Sequence, residues 1–425
     1  MNVAIIGAGW AGMAAAVALA LAKIPVTVFE AARHLGGRAR SVEIGGVELD
    51  NGQHILIGAY RETLRLMRVV GADPDKLLLR QPLAIDYPGK FSLHAPRLIA
   101  PLHLLAALFG ASGLSWRERI AAIRFIAALR RDAYRIAADI PVTELLARNR
   151  QSGALARYLW EPLCVSALNT PPASASAQVF INVLRDSLDS AREASDFLVP
   201  RADLGTLFPQ PAAAFVRAAG GAVQLGTPVR TLCKTGDGFV LDDRPGRYTH
   251  AIVAVGPHQV DALLEQFAAL APTRQNIAAF SFEPIYTCYL QYPRSVAMRR
   301  PMTGFDGGTI QWVFDRGRLN GAAGLLAAVI SARGAHQSFS QDALAGAVHR
   351  ELAAFLPGLS QPLWSRVIAE KRATFSCRPG VTRPENKTAV RNLYLAGDYT
   401  ASDYPATLES AVRSGVLAAR LVRER

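Results

Sequence analysis

Val3-Ala4-Ile5-Ile6-Gly7-Ala8-Gly9-Trp10-Ala11-Gly12 is the stretch that decides the fold of this chain. Its first four residues are apolar and rich in β-branched side chains, which predicts a buried strand. Glycines at 7, 9 and 12 follow at once, and Met13 to Ala22 is then alanine-rich and free of proline, as a helix requires. Pro25 stops that helix, Val26 to Phe29 reads as a second strand, and Glu30 closes it. In this order Gly7 permits a tight turn, Gly9 lets the backbone approach a pyrophosphate, and Gly12 lets the helix pack on the strand. Phosphates would rest on the free amides of the helix N-terminus, where the helix dipole favours negative charge. Glu30 would accept hydrogen bonds from ribose hydroxyls. No Lys or Arg precedes the apolar run, which argues against a secretory signal.

Working outward, Leu35-Gly36-Gly37-Arg38-Ala39-Arg40 places two glycines beside arginines that can neutralise phosphate. Alone this reads equally as a hairpin turn. Just after the ribose acid it shifts the expected cofactor from NAD to FAD, whose extended form uses a second glycine-arginine element. Asp50-Asn51-Gly52-Gln53-His54 is a polar turn between apolar stretches. It reads either as an ordinary Asn-Gly turn or as a loop laid against a flat ring. At the far end, Leu393-Tyr394-Leu395-Ala396-Gly397-Asp398-Tyr399 predicts a buried strand ending in Gly-Asp, followed by a helix over Leu408 to Val422. An Asp in that place can hold a polyol hydroxyl, and the helix N-terminus can stabilise a reduced flavin.

The chain has 425 residues, half of them hydrophobic, which suffices for two or three domains and excludes a disordered protein. Its four cysteines lie far apart, with no CxxC pair, and fit neither a zinc site nor a disulfide framework. No apolar run is long enough to span a bilayer, since Leu98 to Leu114 is broken by Pro101, His103 and Ser112. The net charge of +13 is spread along the chain without a basic block or an aromatic-basic motif, so an anionic membrane surface is favoured over nucleic acid.

Between the two ends, residues 98 to 138 stand out. Ser115-Trp116-Arg117-Glu118 is a capping box. Arg117, Arg124, Arg131 and Arg135 fall on one stripe of the helix it starts, with Ile120, Ile123, Ile126 and Leu129 on other faces. That pattern suits a membrane-surface helix and equally a solvated helix with a buried face. Further helices are predicted from Trp160 to the prolines at 171 and 172, over Ser176 to Leu188, over Ala212 to Ala219 and over Gln341 to Phe355. A loop is predicted over Leu198 to Thr206. Strands are predicted at Val223–Leu225, Val229–Leu232, Phe239–Leu241, His250–Val255, Ile285–Tyr292, Thr309–Phe314 and Leu325–Ser331. The expected class is α/β. Residues 1–80, 208–275 and 385–425 would build a cofactor domain from discontinuous segments. Residues 81–207 and 276–384 would build a mixed α+β substrate domain, with membrane-associating helices near 98–138.

The two glycine motifs, Glu30 and Leu395-Ala396-Gly397-Asp398 together resemble the flavin amine oxidase and phytoene desaturase superfamily. Asp50 to His54, Leu159-Trp160-Glu161-Pro162-Leu163, Ala167-Leu168-Asn169-Thr170-Pro171-Pro172 and Lys371-Arg372-Ala373-Thr374-Phe375 resemble a narrower branch over essentially the whole chain. That branch is the squalene-associated, FAD-dependent desaturase-like family of bacterial hopanoid synthesis, the hydroxysqualene dehydroxylases. The resemblance implies a Rossmann-like, GR2-type FAD domain and a non-covalent FAD. It implies FAD contacts at Gly7, Gly9, Gly12, Glu30, Gly37, Arg38, Gly52, Gly397 and Asp398, and a backbone contact from Val229 to adenine. It also implies reductive conversion of hydroxysqualene to squalene, a C30 isoprenoid, by a cytoplasmic protein at the inner face of the cell membrane, fed by an unknown electron donor. Thr407 stands where amine oxidases often place an aromatic cage residue, which argues against amine oxidation. Ionising an allylic alcohol needs a proton source, and His54 is the first candidate, with Glu409 and Tyr404 behind it. A carotenoid-type desaturase and a non-catalytic, lipid-carrying flavoprotein are the other functions this pattern allows.

Overall fold

The computed structural model describes residues 1–424 apart from 237, 243 and 245. Val3–Ile6 is the central strand of a five-stranded parallel sheet. All four of its residues are buried, as expected for a parallel strand covered on both faces. Val26–Phe29 pairs on one side of it and His250–Val253 on the other, while Ala222–Gln224 and Leu393–Leu395 form the edges. Strands from both ends and the middle of the chain therefore lie side by side.

The helix Trp10–Leu21 follows the first strand, and Gly12 is where it meets that strand's turn. A Cβ on Gly12 would fall 1.9 Å from the Gly7 carbonyl oxygen. The last helix, Leu408–Arg423, packs against this first helix just as closely: a Cβ on Gly415 would lie 2.0 Å from the Ala11 carbonyl oxygen.

A second, antiparallel sheet runs in the order Met302–Gly304, Trp312–Asp315, Leu325–Ser331, Phe282–Gln291, Trp364–Phe375. The last of these strands has no counterpart in the expectations above. Its pairing is interrupted: Glu283 faces Thr374, but Ile285 faces Glu370. Residues 371–373 therefore swell out of the sheet as a bulge, a device that re-aims backbone groups.

Two local expectations are corrected. The first half of the predicted loop at 198–206 is a strand, Phe197–Pro200, held between Leu56–Ile57 and Leu78–Gln81. Its second half is a short helix, Leu204–Leu207, whose Thr206 amide donates to the Asp203 carboxylate. The strand predicted at Val229–Leu232 begins only at Leu232, because the Asp242 carboxylate accepts from the Arg230 and Thr231 amides and takes them from any ladder.

The helix Trp116–Arg131 starts with both halves of its capping box formed. It buries Ala122, Phe125 and Leu129 and leaves Arg117, Arg124 and Arg131 exposed. Arg135 falls beyond the end of the helix and so off the stripe. Among the described residues no helix is long and apolar enough to cross a membrane.

Candidate active site

One cavity of about 950 Å³ opens where the parallel sheet meets the antiparallel one. Gly7, Gly9, Glu30, Gly37, Arg38, Gly52, His54, Val229, Gly397, Asp398 and Tyr404 all line it. Gly12 and Glu409 do not. Its position beyond the strand ends, beside the first strand-helix turn, is where open α/β sheets bind ligands.

The nucleotide end is preorganised. Glu30 accepts from the Ala8 amide at 2.7 Å and from the Ala32 amide at 2.8 Å, which fixes both carboxylate oxygens. Gly9 caps the first helix without a side chain, so nothing from the cap covers the first-turn amides. Arg38 donates to Asp398 at 2.6 Å and to the Ala373 carbonyl at 2.6 Å. That carbonyl belongs to the bulge, which is how a strand in the second sheet reaches the second glycine element. Asn51 ties the same place together, donating to the Arg38 carbonyl at 2.7 Å and to Glu370 at 3.2 Å.

Beneath the Asn51–His54 turn lies a buried ion pair, Arg316 with Asp50, at 3.4 Å. Arg316 also donates to Gln53 at 2.9 Å, and Asp50 accepts from the Leu204 amide at 2.9 Å. Burial raises the Asp50 carboxyl to about 6, against the pull of Leu204 and Arg316. Nothing near Asp50 in the sequence announces Arg316.

His54 Nδ1 sits 3.1 Å from the Gly52 carbonyl. Burial lowers the pKa of the ring, aided by Arg38 and opposed by that carbonyl. The neutral ring at pH 7 therefore donates from Nδ1 to Gly52, which leaves Nε2 unprotonated. Proton donation from His54 belongs to the minority protonated form.

The expectation for Glu409 is corrected. Its carboxylate is fully buried and accepts from the Glu62 and Thr63 amides, the Thr63 hydroxyl and Arg413, at 2.7 to 3.1 Å. It holds the start of the helix Arg61–Val69 against the last helix, and no oxygen of it reaches the cavity. Tyr404 does face the cavity. Its hydroxyl donates to Asp186 at 2.6 Å and its ring lies 4.6 Å from the Arg413 guanidinium. Burial raises its pKa, so the phenol stays neutral.

The Asn-Thr-Pro-Pro block has a structural explanation. Asn169 adopts left-handed backbone at a helix end. Its amide donates to Thr374 at 3.0 Å, and its oxygen accepts from the Ala332 amide at 2.9 Å. The Thr170 hydroxyl accepts from the Cys377 amide at 2.9 Å. The block staples the helical region to the sheet beside the cavity. Of the side chains along the rest of the cavity, Asp186 and Tyr60 were not anticipated. Neither belongs to a local motif, and only the fold brings them to the last helix.

These features fit a dinucleotide: a carboxylate with fixed oxygens, uncapped helix amides, and a glycine-lined turn that a side chain would fill. The chain belongs to the flavin-containing amine oxidoreductase family, whose model matches residues 10–423. It is an FAD-dependent oxidoreductase, and FAD is its cofactor. Within that family it is 30% identical to the hydroxysqualene dehydroxylase of Rhodopseudomonas palustris, across 99% of this chain and 98% of that one. It is 24% identical to the zeta-carotene desaturase of Synechocystis sp., across 99% and 97%. In fold it resembles an oxidoreductase from Methanosarcina mazei, with a TM-score of 0.76 at 16% identity over the whole of both chains.

Proposed function

We propose that this chain removes the hydroxyl of hydroxysqualene reductively, giving squalene. The observation that carries this reading is the 30% identity, over nearly the full length of both chains, with a hydroxysqualene dehydroxylase, set beside a cavity that runs on from the nucleotide cradle into apolar walls. Those walls include Leu83, Ile85, Leu163, Phe180, Leu184 and Phe314. When bound, reduced FAD supplies the hydride that replaces the lost oxygen. Glu30, Arg38 and Asp398 would hold the cofactor, and the Asn51–His54 turn would lie against its ring system. The apolar walls exclude water, which would otherwise capture an allylic cation. A protonated His54 would give its proton to the leaving oxygen from Nε2. Incubating the chemically reduced protein with hydroxysqualene, followed by product analysis, should yield squalene; its absence would sink the reading.

A hydrocarbon of this length comes from a bilayer, and one surface suits that source. Leu98, Ile99, Leu102, Phe109, Trp116 and Ile120 are all exposed, Ile99 by 74% and Trp116 by 63%. Exposed Arg97, Arg117 and Arg124 flank them, a combination suited to anionic lipid. Replacing Ile99 and Trp116 by Ser should release the protein from anionic liposomes in a sedimentation assay; undiminished sedimentation would move the contact elsewhere.

The likeness to a carotene desaturase supports a second reading, with hydride running from substrate to oxidised FAD. Bleaching of the flavin by a saturated isoprenoid without reductant would favour it.

A further inference from the structure

A long hydrocarbon with one hydroxyl needs one polar partner in an otherwise apolar cavity. The helix Ala177–Leu188 presents Phe180, Val183, Leu184, Ser187 and Leu188 to the cavity, and with them a single carboxylate, Asp186; the Ser187 hydroxyl already donates to the Val183 carbonyl at 2.7 Å. The other carboxylates lining the cavity are tied to the nucleotide side: Glu30 to the Ala8 and Ala32 amides, Asp398 to Arg38, and Glu370 to Asn51. Asp186 is held at both oxygens. One accepts from Arg185 at 2.7 Å and the other from Tyr404 at 2.6 Å. Tyr404 comes from the turn before the last helix, so the pair joins the substrate-side helix to the helix whose N-terminus faces the cofactor site. An ionised carboxylate offers about four acceptor positions, so these two bonds leave capacity for a third partner.

We propose that Asp186, oriented by Tyr404, accepts a hydrogen bond from the substrate hydroxyl and so selects the allylic alcohol over the hydrocarbon product. The inference rests on the dehydroxylation reading. Burial pushes the Asp186 carboxyl up, but the bonds from Arg185 and Tyr404 outweigh it and hold it below its usual range. It is therefore an anion near neutral pH, and a hydrogen bond to a charged group discriminates about tenfold or more. Asp186 acts here on affinity; the proton for the leaving oxygen comes from elsewhere.

The test uses the FAD-loaded, oxidised protein, which cannot turn over. Hydroxysqualene and squalene, each in detergent micelles, are titrated in while the visible flavin spectrum reports binding. The wild type should bind the alcohol about tenfold or more tightly than the hydrocarbon. Asp186→Leu and Asp186→Asn should abolish or shrink that preference by weakening the alcohol alone. Tyr404→Phe should shrink it part of the way. An unperturbed flavin spectrum in the ligand-free variants verifies that they are folded. Parallel loss of both affinities, or no change in either, would overturn the inference alone. A wild type that binds neither ligand would overturn it together with the dehydroxylation reading.

Discussion

Replacing Arg316 by Met should destabilise the protein by an amount that grows with pH. Arg316 and Asp50 are both almost fully buried, and the arginine also reaches Gln53. Removing one partner of a buried ion pair typically costs about 3–5 kcal/mol, because the other charge is left uncompensated. Here the cost has an escape, since Asp50 can take up a proton and its folded pKa already stands at about 6. The carboxyl is harder to ionise folded than unfolded, so wild-type stability falls as pH rises from its ordinary range to about 6, and then levels off. Without Arg316 the folded pKa moves higher still, and the decline continues at about 1.4 kcal/mol per pH unit. Near pH 5 the variant should therefore trail the wild type by only about 1 kcal/mol, the lost bond to Gln53. Near pH 8 the gap should approach roughly 3–5 kcal/mol. Urea unfolding of both proteins with saturating FAD at several pH values measures this directly. A gap that stays constant from acid to alkaline pH would refute the coupling between Arg316 and the ionisation of Asp50.

Glu30→Ala should weaken FAD by about 1–3 kcal/mol, since ribose hydroxyls lose their acceptor; titration of apoprotein with FAD measures it, and unchanged affinity would remove Glu30 from the site. Glu409→Gln should lower unfolding free energy by on the order of 3 kcal/mol through the lost charge-assisted bonds to Thr63 and Arg413. The turnover of its folded fraction should hold, whereas a selective loss of rate would return Glu409 to the chemistry. His54→Ala should keep FAD yet lose about 10²–10⁴ in turnover if the protonated ring is the acid. Because burial lowers its pKa, the wild-type rate should rise as pH falls below the ordinary histidine range, and a flat profile there would leave His54 as a loop anchor.

The nucleotide half was legible because its physics is local. Gly7, Gly9, Gly12 and Glu30 sit within one strand-helix-strand unit, and each spacing has one backbone meaning. The opposite end was legible for the same reason, from Leu393 to the last helix. Trp364–Phe375 was not, because Glu370, Lys371 and Arg372 break its alternation, and the last two lie in the bulge. Glu409 misled for a related reason. An acid at the start of a helix reads as a surface group or a catalytic one, and its real partners, Glu62 and Thr63, are remote in sequence. Asp186 and Arg316 were invisible on the same ground: each is an ordinary charge in its own element, and its meaning lies in what the fold sets opposite it.

The contact between Gly415 and Ala11 also bears on the order of events during synthesis. The first helix is almost wholly apolar, and the helix that covers it is made roughly 400 residues later. At about 5–20 residues per second, that is an interval of tens of seconds. During it the glycine turn has no roof, and its sheet lacks the edge strand Leu393–Leu395. The glycine turn, the helix that packs behind it and the complete sheet therefore come together only after that interval.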